Sequence, residues 1–83
     1  MSLHVWRRQH GGECLAQVEP VEGFGTWRIA LCLMTNPKQR IITEPTALRR
    51  LEAAQAEADG LARRTFDHTC APDTCGVWHP VAS

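Results

Sequence analysis

The chain reads as a small two-layer α+β domain: an antiparallel meander of three or four strands, packed by one long helix and followed by a Cys/His tail. Three observations predict this. The first half alternates apolar and polar residues between turn signals, at the period of two that a half-buried strand needs. From Ala47 onward the apolar residues recur every three or four positions, the spacing of one helical face. The end of the chain has neither period and concentrates cysteine and histidine. Strands first and a helix after them describe a sheet covered on one face.

Each element has a local reason. Leu3 to Arg8 alternates, with Leu3 and Val5 on one face and Trp6 on the other. Gly11-Gly12 then predicts a hairpin turn. Cys14, Ala16 and Val18 alternate with Leu15, Gln17 and Glu19, and Pro20, which lacks an N–H, is expected to stop the run. Glu22-Gly23-Phe24-Gly25 is a second turn. Trp27 to Met34 is the strongest strand, with Trp27, Ile29, Leu31 and Leu33 on one face. Its other face, Arg28, Ala30, Cys32 and Met34, is apolar enough to be partly covered. Asn36-Pro37 makes a third turn, and Arg40-Ile41-Ile42-Thr43 a short fourth strand.

Thr43-Glu44-Pro45-Thr46 supplies two N-cap residues and a proline suited to a first helical turn. The helix is therefore expected over 45–66, with Ala47, Leu51, Ala54, Ala58, Leu61, Ala62 and Phe66 as its stripe. Asp59 and Arg63 are spaced as an i,i+4 pair, and Arg63-Arg64 suit the C-terminal dipole. Gly60 costs roughly 1 kcal/mol relative to alanine, and marks either a close contact or an early end. One domain results: sheet 1–44, helix 45–66, tail 67–83. The tail is expected to fold back and cover Val77 and Trp78.

Eighty-three residues are near the size where a single apolar core supplies only ~3–5 kcal/mol, so a metal clip or a partner would matter. Nine basic and nine acidic side chains balance, which removes the footprint of a dedicated nucleic-acid binder. The pairs Arg7-Arg8, Lys38 with Arg40, Arg49-Arg50 and Arg63-Arg64 read as solvated faces. Arg7-Arg8 follows the first six residues directly, so no apolar signal core precedes it, and the longest apolar stretch, Ile29 to Met34, is far short of a membrane span. A cytoplasmic location with reduced thiols is expected, although four cysteines still permit three disulfide pairings.

The tail holds the most specific pattern, His68-x-Cys70-x4-Cys75-x3-His79. Two thiolates and two imidazoles can surround one Zn²⁺ tetrahedrally, and four protein ligands make such a site structural, with no open position for water. Against this stands a plain turn bearing free thiols. A zinc deaminase needs His-x-Glu and then Pro-Cys-x2-Cys, and neither is present. Cys14 and Cys32 fall on strands, where buried cysteine packs as a small hydrophobe. His4 and His10 belong to the first hairpin and read as surface residues.

With no catalytic set, the sequence points to a non-enzymatic protein acting through contact with another protein. The surface to look at is Trp6, Arg7, Arg28, Lys38 and Arg40, because tryptophan and arginine anchor interfaces. The alternative is a zinc-stabilised nucleic-acid-binding module. In size and architecture the chain resembles the accessory and inhibitor proteins of phages and mobile elements, a likeness that no motif carries.

Overall fold

The alternation in the first half becomes four antiparallel strands, β1 (Val5–His10), β2 (Cys14–Val21), β3 (Thr26–Leu33) and β4 (Arg40–Pro45). The helix α1 (Leu51–Phe66) follows, and a short strand β5 (His79–Val81) closes the sheet in the order β4-β3-β2-β1-β5. The computed structural model describes residues 4–36, 38–67 and 75–81. The α+β architecture expected from the sequence is what the chain adopts, with a fifth strand added at the β1 edge. No helix among the described residues is long and apolar enough to cross a membrane.

Register decides which residues face the helix. Trp6 stands opposite Val18, and Val18 opposite Ile29; Ala16 stands opposite Leu31, and Leu31 opposite Ile42. These side chains form one surface, and Ala54, Ala58 and Ala62 of α1, all at 0% exposure, close onto it. With only methyl groups on its inner stripe, the helix lies close against β2 and β3. Leu51, Leu61 and Phe66 pack around the rim.

Four boundaries differ from the sequence reading, each for a physical reason. Pro20 does not stop β2, which runs on to Val21 with Pro20 opposite Trp27. Pairing with β1 ends at Trp6 opposite Val18, so the donor that Pro20 lacks falls on an unpaired side. The helix begins at Leu51, not near residue 45, because Trp27 captures the preceding segment. The Trp27 carbonyl accepts from the N–H and the Oγ1 of Thr46, the Trp27 N–H donates to the Leu48 carbonyl, and its indole Nε1 donates to the Arg49 carbonyl. Pro45 thus ends β4 instead of opening α1. The N-cap is Arg50, without a side-chain cap bond, rather than Thr43 or Thr46. Finally, the tail folds back as β5, which half-buries Trp78 yet leaves Val77 77% exposed.

Gly60 ends nothing, since α1 continues to Phe66 and is closed by Asp67 in the left-handed region, its N–H bonded to the Arg63 carbonyl. Gly23 and Gly25 both hold positive φ in the β2–β3 turn, where a side chain would be strained.

Candidate functional site

The helix covers one face of the sheet; among the described residues no element covers the other. Alternation places Arg7 of β1, Gln17 and Glu19 of β2, Arg28, Ala30 and Cys32 of β3, and Arg40 and Thr43 of β4 on this open face. The ladder aligns Arg7 with Gln17, Gln17 with Ala30, Glu19 with Arg28, and Cys32 with Arg40. Ala30 at 0% and Cys32 at 2% exposure are as buried as the core.

Side chains rather than an element shield this floor. Arg7 donates from Nε and Nη2 to Gln17 Oε1, Gln17 Nε2 donates to Glu19 Oε1, and Arg40 Nη2 pairs with that same carboxylate. The chain of contacts runs from β1 across β2 to β4, bridging over β3. Long side chains lying flat across a sheet cover apolar surface while their charges stay at the solvent boundary. Burial pushes the Cys32 thiol up, and the positive charges of Arg40 and Arg7 work against that rise. Arg28 is half-buried and makes no ion pair among the described residues.

A second constellation lies on the helix side. Asp59 of α1 accepts from His10 Nε2 at 2.8 Å, from Arg8 Nη1 at 3.0 Å and from the Trp78 indole at 3.3 Å. One carboxylate therefore ties the helix to β1 and to the returning tail. Burial alone would raise Asp59, but the hydrogen bonds from His10 and Trp78 and the charge of Arg8 outweigh it and hold the carboxyl below its usual value. His10 also lines a cavity of about 190 Å³ with Gly11, Gly12, Glu13, Phe66 and Asp67.

The residues singled out from the sequence divide as follows. Trp6 is not on the same face as Arg7 and Arg28: it lies on the helix side, packed against the core and opposite Pro80. Arg7, Arg28 and Arg40 share the open face, and Lys38 is exposed in the β3–β4 turn beside it. His4 is exposed as expected, but His10 is not a surface residue; it is 1% exposed. Cys14 is buried in the core, where desolvation above all, with Cys32 and Glu13 adding to it, raises its thiol to about 11. Cys14 and Cys32 are free thiols.

Of the four zinc-ligand candidates, His68 and Cys70 lie outside the described residues. Cys75 is half-buried beside Gly76, whose N–H donates to the Gln9 carbonyl, and His79 stands opposite Arg7 in β5. Among the described residues no three His, Cys, Asp or Glu side chains are grouped to hold a metal. No family model matches the sequence, and no curated protein or solved structure is significantly similar to it.

Proposed function

We propose that this chain is a small protein-binding domain and not an enzyme, engaging another protein through the open face of its sheet. The observation that carries the reading is the construction of that face: a buried floor of Ala30 and Cys32 with three arginines arranged over and around it. Arginine supplies interface contacts through both its flat apolar surface and its donors. The His10–Asp59 pair supports the non-enzymatic side. Its imidazole is closed off from solvent, and its carboxylate is shared with Arg8 and Trp78, which suits a cross-link between elements better than a proton shuttle. The role fits an accessory or inhibitor protein of the cytoplasm, where the thiols stay reduced.

The same reading assigns one structural Zn²⁺ to His68, Cys70, Cys75 and His79. His79 Nδ1 lies 3.1 Å from the Val77 carbonyl. A metal-binding histidine characteristically donates its second ring N–H to such an acceptor, which would leave Nε2 as the ligand atom. The metal would supply folding energy only.

The function is tested by capture from the native host with the intact protein as bait. A specific partner retained by the wild type, kept by a Glu57→Ala variant on the outer helix surface, and lost on combined Arg7→Ala, Arg28→Ala and Arg40→Ala substitution is the expected result. A partner that survives the triple substitution in a folded protein rejects the open face.

A further inference from the structure

We infer that the open sheet face receives an acidic, extended segment of the partner, with carboxylates gripped by Arg7 and Arg28. The inference rests on the protein-binding reading above and names the partner's chemistry. The chain as a whole is neutral, yet alternation gives the open face Arg7, Arg28 and Arg40 against Glu19 as its carboxylate. The remainder of the chain therefore carries the balancing excess of acid, and the open face is where an anionic segment is drawn.

Arg7 is poised for a better acceptor than the one it has. Its Nε and Nη2 converge on a single neutral oxygen, Gln17 Oε1, at 3.1 and 2.9 Å. That edge of a guanidinium matches the two oxygens of a carboxylate, and the charge-assisted pair is roughly twice as strong as its neutral counterpart. An incoming carboxylate can take this edge while Gln17 keeps its own bond to Glu19. Arg28 is the second grip. It faces Glu19 across the ladder without pairing with it; the contacts of that carboxylate, from Arg40 and Gln17, both fall on Oε1.

Arg7 and Arg28 sit two strands apart, roughly 10 Å or more. An extended chain advances about 3.3–3.6 Å per residue, so carboxylates three residues apart span that interval. Gln17 and Glu19 of β2 lie between the two arginines, and Ala30, opposite Gln17 and two residues from Arg28, adds no bulk above the floor. A nucleic acid is the poorer fit. Trp6, Trp27 and Trp78 all pack on the helix side, so among the described residues the face offers no aromatic surface for base stacking.

The test titrates the whole protein, followed by amide NMR shifts and calorimetry, with three probes: an (Glu-Ser-Thr)-repeat dodecapeptide, its Lys-for-Glu counterpart, and a twelve-nucleotide thymidine strand. The Glu peptide is expected to bind saturably, with the largest shifts at Arg7, Gln17, Arg28 and Thr43. Arg28→Gln breaks no ion pair among the described residues and should weaken binding roughly ten-fold at unchanged melting temperature. Arg7→Lys, which keeps the charge but loses the paired donors, should weaken it too, and Arg49→Gln should not. No saturable binding of the Glu peptide, binding indifferent to Arg28→Gln, or tighter binding of the thymidine strand would each overturn the inference. A captured partner that docks on the open face through a neutral or basic segment overturns the acidic chemistry and leaves the protein-binding reading standing. Capture that survives the triple open-face substitution in a folded protein removes both.

Discussion

Asp59 holds three parts of the molecule with two oxygens, so its removal is the most informative single substitution. Asp59→Ala leaves the His10, Arg8 and Trp78 donors without their acceptor, and hydrogen bonds to a charged group are worth about 1.5–3 kcal/mol. A loss of roughly 2–3 kcal/mol in urea denaturation is expected, with Trp78 fluorescence reporting release of the tail. The pH dependence has a definite sign. Asp59 is held below its ordinary 3.8 in the folded chain, so its contribution is complete above that value and is lost as pH falls through the lower folded one. Subtracting the Asp59→Asn stability curve from the wild-type curve isolates this term, and a difference unchanged down the acid limb would contradict it. This hub was only half legible in the sequence. Alternation puts Trp6, Arg8 and His10 on one face, but β1 alone does not say whether that face or the Val5 face lies inward. The choice is made by Ala16 and Val18 of β2, which stand opposite Arg8 and Trp6 and are fully buried. Once that side turns inward, Arg8 and His10 require a buried acid, and Asp59 is the one that faces them.

At the scale of elements, the helix period and the strand alternation gave the architecture, and tertiary contacts moved the ends. Residues Ala47 to Arg50 are acceptable helix formers, yet hydrogen bonds to Trp27 hold the segment out of the helix, and long-range contacts of that kind leave no trace in local spacing. Gly60 illustrates the reverse. A Cβ there would meet only the Arg64 Nη1 at 3.2 Å, the far end of a flexible side chain. Gly60→Ala is therefore expected to stabilise the protein by up to about 1 kcal/mol, measured as a raised melting temperature. The neighbouring stripe behaves oppositely: Ala58→Leu inserts three carbons where exposure is 0% and should cost about 1–3 kcal/mol. The tail was legible as a Cys/His cluster but not as a strand, since His79-Pro80-Val81 is too short to show a period. Pairing with β1 and the Trp78–Asp59 bond already fasten it, so the proposed zinc would add to an existing anchorage. Chelator, or Cys70→Ser, should lower the melting temperature by several degrees, roughly 4–8 °C per kcal/mol lost. Zinc-free protein with Cys70 and Cys75 fully reactive would retire the site.

For the whole molecule, one helix on a five-stranded sheet leaves two unlike surfaces, a helix side that closes the core and a sheet side built from charged side chains over a buried floor. The sequence marked Arg7, Arg28, Lys38 and Arg40 as candidate interface residues. It did not show that Trp6 points away from them, nor that Gln17 and Glu19 link Arg7 to Arg40, because both depend on register. The edges of the sheet are poorer docking sites than its face: β4 carries a bulge opposite Leu31/Cys32 and ends in Pro45, and β5 contains Pro80, features that discourage a further strand from joining. The face is thus the proposed docking surface. A photo-crosslinking amino acid placed in turn at Arg28 and Thr43 on the open face, and at Glu52 and Glu57 on the outer helix, examines it directly in the native host. A discrete partner adduct is expected from Arg28 and Thr43 and none from the helix positions; adducts from Glu52 or Glu57 alone would contradict binding through the open face.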